Sequence, residues 1–398
     1  MTPATLLALL TLGSGPAGPN GLLLAAGSWY PDAGSNADGD ATRRLGQEGA
    51  LDRSPSARLA GDSQASRAAA SAAVERALAW LAARQAEELD GSMPPIGAEE
   101  YAPIALSALG ALAYMSAGNA PERGPHGRPL ARSIDYLLAH VDRLADSPRR
   151  GYVSDERDRT SHMHGHGFAT LALAEAHSFS PKTTRGRRIE EALRFAVDRI
   201  EASQGADGGW YYQPRADVLH ENSVTICVVQ ALRAAKGAGI RVEAQTIARA
   251  IDYVKRSQKE DGSFRYALGR EDSSVALTAA AIATLNATGI YGGAIVGQGY
   301  DFVDRELTAR TLAAERSGLA TLAPPFPFYE RLYLAQALWQ HPERERFERW
   351  ADAERAGILT DQRADGAWGG SRFGDCYATA VNVLFLTLPE GLLPIFQR

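Results

Sequence analysis

The chain has 398 residues, 45% of them hydrophobic, with 42 basic against 47 acidic residues and a net charge of −5. That length buries one large core or two smaller ones, and the charge balance carries no electrostatic footprint for nucleic acid. The two cysteines, Cys227 and Cys376, exclude a disulfide framework and any CxxC pair, and are expected as free thiols.

At the N-terminus, Thr5 to Leu12 and Gly21 to Ala26 are apolar runs too short to span a membrane. Small residues accompany them, as before a secretory cleavage site, yet no Lys or Arg precedes Arg43. The compartment stays open, with export through this signal-like segment as one reading and a disordered leader as the other. From Pro31 to Arg67, Gly, Ser, Asp and Ala dominate, the composition of a solvated linker. Residues 1–68 are read as leader and linker, and residues 69–398 as one folded domain.

A repeat runs through that domain. Gln204-Gly-Ala-Asp207-Gly208-Gly209-Trp210 is followed by Gln258-Lys-Glu-Asp261-Gly262-Ser263-Phe264 and by Gln362-Arg-Ala-Asp365-Gly366-Ala367-Trp368. Gln85 with Asp90-Gly91-Ser92-Met93 is a looser copy. Gln204 and Gln258 are 54 residues apart, and the other intervals are close to two such periods, so members are expected near residues 147 and 310. Asp146-Ser-Pro-Arg-Arg-Gly151-Tyr152 fits the first place as a degenerate copy. The second has none, only a Pro-rich segment from Pro324 to Pro327.

An amphipathic helix precedes each Gln: Ala73–Arg84, Ile189–Ser203 and Ala244–Ser257 carry apolar residues at helical spacing. Asp-Gly ends it, because glycine accepts the left-handed conformation at little cost. A second helix follows, apolar almost all round, as in Phe168–Ala176, Val224–Ala235, Val275–Leu285 and Ala378–Leu388. One half-exposed and one buried helix per repeat predict an all-α fold. It is an (α/α)6 toroid of about six hairpins in two concentric layers, with an open superhelix as the alternative.

The Gln-x-x-Asp-Gly-Gly/Ser-Trp/Phe motif resembles the repeat of squalene and oxidosqualene cyclases and, more loosely, that of protein prenyltransferase β subunits. The resemblance covers roughly residues 70–398. It implies a central cavity lined by inner helices, able to hold an isoprenoid or other apolar small molecule. The chain departs from the family in its chemistry. No Asp-x-Asp-Asp string is present, and Asp155-Glu-Arg-Asp158 reads as a solvated loop. Asp375-Cys376-Tyr377-Ala378-Thr379 matches the oxidosqualene cyclase Asp-Cys-Thr-Ala-Glu only in its Asp, Cys and Ala. The prenyltransferase zinc set is missing, because Asp375 and Cys376 are adjacent and no His follows them. The domain has room for one toroid where squalene cyclases have two. No metal or other cofactor is expected.

The site expectations follow. Asp375 is the candidate acid, with capping of a helix as its plainer role. His164-Gly-His166-Gly-Phe168 resembles the start of an inner helix in single-toroid bacterial relatives, which would aim His166 at the cavity mouth as a proton-transfer group. The plainer role for His166 is a bond to the backbone. His162, His164 and His166 could also reach one metal if the loop curls, although none is assigned. Glu221 and Asp272 open two other inner helices, where caps are also favoured. A ring would gather these starts at one rim, so His164, Glu221, Asp272, Tyr212, Tyr266 and Tyr377 are expected to contact a ligand. Trp210, Phe264 and Trp368 are expected to pack between repeats. Three functions remain: an isoprenoid-handling enzyme, a non-catalytic lipid- or peptide-binding or structural toroid, and a carbohydrate enzyme using Glu221 and Asp272 as facing carboxylates.

Overall fold

The computed structural model describes residues 64–179, 181–318 and 322–397, so the leader reading lies almost wholly outside the described residues. Helix α1 (Gln64–Gln85) begins just inside the segment assigned to the linker. Eleven further helices follow: α2 (Pro103–Ser116), α3 (Gly127–Ala139), α4 (His162–Phe179), α5 (Thr184–Ala202), α6 (Asn222–Gly237), α7 (Ala244–Lys255), α8 (Val275–Ala287), α9 (Ala294–Arg316), α10 (Pro327–Trp339), α11 (Arg344–Asp361) and α12 (Asp375–Thr387). No strand occurs among the described residues. None of their helices is long and apolar enough to cross a membrane.

The even-numbered helices form the inner layer. In α8, Val275 to Asn286 are all buried, and α2 is buried from Leu106 to Ser116. The odd-numbered helices bury one face only: in α5 this is Ile189, Ala192, Leu193, Ala196, Val197 and Ile200, at helical spacing. Each inner helix packs on the next, from α2 through α4, α6, α8 and α10 to α12, and α12 packs back on α2. The first outer helix, α1, lies against the last inner helix, α12. The chain is therefore a closed (α/α)6 toroid, and the open superhelix is ruled out.

The repeat motif builds the joints. Gln204 Nε2 donates to the carbonyl of Gly208 in its own turn and to that of Thr246 on the next outer helix, both at 2.9 Å. Gln362 does the same to Gly366 and, across the seam of the ring, to Ala73, both at 2.8 Å. Gly208 has φ +92°, and a Cβ there would collide with the carbonyl oxygen of Arg249 on α7. Gly151 stands in the same relation to Phe195 of α5, which makes the degenerate segment near residue 147 a true member of the series.

A second regularity was not visible in the sequence. The backbone N–H two residues after each motif glycine donates to the side chain of the fourth or fifth residue of an inner helix. Met93 donates to Ser107, Trp210 to Thr225, Phe264 to Thr278 and Trp368 to Thr379, at 3.0 to 3.1 Å. Trp210 and Trp368 are buried, and their indole N–H groups bond the carbonyls of Ile200 and Ile358, so both pack between layers. Asp155 and Asp158 depart from the solvated loop expected of them. Asp155 is buried, accepts from Tyr136 Oη at 2.7 Å and pairs with Arg157, while Asp158 accepts from the backbone of Thr160 and Ser161. Their carboxylates tie down the turn that leads into α4.

One end of the ring is closed by the C-terminal tail. Leu393 and Phe396 are buried, the short 3-10 turn Pro394–Phe396 packs on α6, and the carbonyl of Phe396 accepts from Gln340 Nε2 at 3.0 Å. The inner-helix starts gather at the other end.

Candidate functional site

Glu221 sits in the N-cap position of α6 and is fully buried. Its carboxylate accepts the N–H groups of Ser223 at 2.8 Å and Val224 at 2.6 Å, and also the Ser223 hydroxyl. Burial pushes its pKa up to about 7, against the opposing hydrogen bonds from Ser223, Val224 and Tyr266. Near neutral pH this carboxyl is therefore poised between its two protonation states.

His164 Nε2 lies 3.0 Å from Ser223 Oγ and 3.9 Å from Glu221 Oε1. Burial holds His164 neutral, with a pKa of about 3. Tyr212 and Tyr266 bond each other through their hydroxyls. The rings of His164 and Tyr212 are 6.0 Å apart. His162, which opens α4, has a positive φ of 46°, a conformation non-glycine residues seldom hold. Four of the expected ligand contacts, His164, Glu221, Tyr212 and Tyr266, thus form one buried group around Ser223.

The side chains of the other expected residues find their partners elsewhere. Asp375 is the first residue of α12, and the cap position belongs to Gly374. Its carboxylate pairs with Arg363 at 2.7 Å. Asp272 borders the group, its carbonyl accepting the Tyr266 N–H at 3.1 Å, while its carboxylate pairs with Arg270 at 2.9 Å. Tyr377 packs its ring against Phe373 and Phe328. His166 does not aim at the cavity mouth. Its Nδ1 accepts the Val153 N–H at 3.1 Å, and its ring lies 5.2 Å from that of Tyr152. It fills, on α4, the place held by Ser107, Thr225, Thr278 and Thr379 on other inner helices. Burial keeps it neutral, with a pKa of about 3. Among the described residues no three His, Cys, Asp or Glu side chains gather as a metal set. Both cysteines are free and buried.

A cavity of about 200 Å³ opens beside the Glu221 group. Its lining includes Ser223, Tyr266, Ser274, Leu277, Phe326 and Tyr329. The repeat that lacks the motif explains its position. The sequence leading into α10 carries no copy of the Gly-aromatic motif that fills the space between layers in other repeats. The fourth residue of α10 is Glu330, which pairs with Arg310 of α9 instead of receiving a turn N–H. Both line the cavity. Ser223, Tyr329, Arg310 and Glu330 belong to the site although no motif marks them. The signal available in the sequence was the missing repeat copy itself. A larger, open groove of about 710 Å³ runs along the outside between the end of α4 and the start of α5, away from the Glu221 group.

No family model and no curated protein sequence matches the chain. Its fold is similar to that of type II terpene cyclase MstE from Scytonema, solved with geranylgeranyl dihydroxybenzoate. The TM-score is 0.54 and the identity 14%, over 83% of this chain and 99% of that one. It is also similar to a D-mannose isomerase, with TM-score 0.55 and 13% identity over 84% and 99% of the two chains. A GH76 α-mannanase from Bacteroides thetaiotaomicron gives TM-score 0.54 and 9% identity over 81% and 95%. The chain has the terpenoid-cyclase-like α/α toroid fold. That fold serves three different chemistries in these neighbours, so it does not by itself choose one.

Proposed function

We propose that the chain is an isoprenoid-handling toroid of the squalene cyclase and prenyltransferase kind. It holds a short prenyl segment in the cavity of the incomplete repeat and uses Glu221 as a general acid acting through Ser223. The observation that carries the reading is the joint between acid and cavity: Glu221 is fully buried, while Ser223, 2.8 Å from it, lines the cavity. The Ser223 hydroxyl proton passes to a basic atom of the ligand as the Glu221 proton replaces it. The aromatic rings of Tyr266, Phe326 and Tyr329 form the wall on which the apolar body rests.

Size limits the ligand. Pockets that bury drug-sized molecules run to roughly 300–1,000 Å³, and an apolar cavity of about 150 Å³ takes benzene. A cavity of about 200 Å³ suits a group of one or two isoprene units, not a triterpene. The acid limits the chemistry. A carboxyl with a pKa of about 7 is too weak to protonate an unactivated alkene, but it serves a more basic atom.

A second reading, a non-catalytic binding or structural toroid, draws on Gln230 of α6. Its Nε2 donates to Gln336 Oε1 of α10 at 2.9 Å, linking inner helices that are not neighbours and narrowing the ring centre. Incubation of the purified protein with prenyl alcohols of five to twenty carbons, followed by mass spectrometry of organic extracts, separates the two. The enzyme reading expects turnover of the short members. It also expects a loss of about a hundredfold or more in Glu221→Gln, which keeps an acceptor for the helix cap. The rate should fall as pH rises through about 7, where the acid loses its proton. Short prenyl alcohols that neither bind nor react would leave only the structural reading.

A further inference from the structure

The open groove of about 710 Å³ between the end of α4 and the start of α5 lies toward the closed end of the ring. Its volume falls within the roughly 300–1,000 Å³ of pockets that hold small molecules. Pro121, Ala176, Phe179 and Ile189 give it an apolar wall. Three cations, Arg123, Lys182 and Arg185, line it against one acid, Glu122. The positive charge continues past the groove. Lys182 to Arg188 holds four cations in seven residues and no acid, in a chain whose net charge is −5. Part of that charge is met. Asp135 pairs with Arg185 at 2.9 Å and with Arg188 at 3.1 Å, and Glu122 pairs with Arg185 at 3.1 Å. Among the described residues no carboxylate pairs with Lys182 or Arg187, and Arg187 donates to the Lys182 carbonyl and the Thr184 hydroxyl instead. Cations at the start of a helix oppose its dipole, so the stability of α5 does not account for them.

The rim is held in place. Glu122 has a positive φ of 63°, a conformation that persists in a non-glycine residue only where its surroundings fix it. Its N–H donates to the Gly127 carbonyl at 3.0 Å, and Arg123 donates to the Phe179 carbonyl at 2.8 Å, which ties the loop before α3 to the end of α4.

We infer that this groove binds an amphiphilic anion, an alkyl chain ending in a carboxylate or phosphate. The chain lies along Phe179 and Ile189, and the head meets Lys182 in the field of Arg123 and Arg185. The unmet positive charge separates this ligand from a hydrocarbon or an alcohol, and the apolar wall separates it from a free phosphate. The groove is distinct from the cavity beside Glu221, so the prenyl-binding reading does not depend on it.

Calorimetric titration of the full chain with dodecanoate, dodecanol and dodecyltrimethylammonium, each below micelle formation, tests this. Dodecanoate is expected to bind about tenfold or more tightly than the other two, with an affinity that falls as salt is added. Lys182 is exposed, so Lys182→Glu leaves the core untouched. That variant should weaken dodecanoate by about tenfold or more and leave dodecanol as it was. Phe179→Ala should weaken dodecanoate and dodecanol alike. Absence of dodecanoate binding, equal affinities for the three compounds, or dodecanoate binding that survives Lys182→Glu overturns the inference. Sedimentation with phosphatidylglycerol vesicles without binding of monomeric dodecanoate also overturns it, because the basic rim would then serve a membrane surface.

Discussion

His166 Nδ1 accepts the backbone N–H of Val153 at 3.1 Å, which puts a histidine where other inner helices carry Ser or Thr. The ring reaches toward the outer layer, and its proton resides on Nε2, since Nδ1 must be an acceptor. This geometry gives His166 the task of fixing the turn that carries Gly151 and Tyr152.

A substitution series at His166 follows from that task. His166→Ala removes the acceptor and leaves a void, and is expected to lower stability by about 2–4 kcal/mol. His166→Thr restores the acceptor that other repeats use, and should recover about 1 kcal/mol of the loss. Urea unfolding midpoints of the two variants measure this. Equal losses in both would mean that the bond to Val153 contributes nothing.

Two glycines with nearly the same backbone angle separate strain from collision. Gly208 and Gly239 have φ of +92° and +88°, but only Gly208 faces the carbonyl of a neighbouring helix, whereas a Cβ at Gly239 would meet no atom within 4 Å. Gly239→Ala should cost about 1 kcal/mol, the price of the left-handed conformation alone. Gly208→Ala should cost about 3 kcal/mol or more, because α7 must also move. Thermal unfolding of the two variants compares them directly. Gly151→Ala is expected to behave like Gly208→Ala, and a mild effect there would remove the degenerate segment from the repeat series.

Glu175 gives a pH signature. It is buried near the closed end of the ring, where the Ile395 N–H donates to it, and burial pushes its pKa up to about 7. Between the unfolded value of 4.5 and about 7, the unfolded chain releases this proton while the folded chain keeps it. Stability from this group is therefore fully present below the unfolded value and is lost as pH rises to about 7, at roughly 1.4 kcal/mol per pH unit. Glu221 acts in the same sense, whereas neutral buried His164 and His166 act in the opposite one. The clean observable is the difference between Glu175→Gln and the native protein. That difference should move in favour of the variant as pH rises from about 4.5 to 7, and a flat difference would place the Glu175 pKa near its ordinary value.

The architecture was legible in the sequence because its joints are local. Gln, Asp-Gly and the following aromatic are read within seven residues, and their period orders the six hairpins. What lay hidden depends on distant partners. His166 looks like a cavity histidine until Val153 is seen beneath it. Asp375 looks like an acid until Arg363, from the preceding turn, is found paired with it. Glu221 was marked at the start of its helix, but only its depth and the Ser223 hydroxyl make it an acid joined to a cavity. The cavity itself falls where the repeat has no copy, so a search for matching residues passes over it. Arg355, within the charge-rich outer helix α11, is buried and pairs with Asp352.

The seam of the ring governs how the chain can fold. Gln362 reaches Ala73 across 289 positions, and α1 leans on α11 and α12 at the far side of the seam. In an open stack of hairpins each unit could be completed on its neighbour, one after another. Here α1 has its main partners missing until α11 and α12 have been made, and the tail that closes one end follows α12. Closure is thus a single long-range event, slow by its loop length, and it binds the stability of the hairpin that begins with α1 to that of α11 and α12.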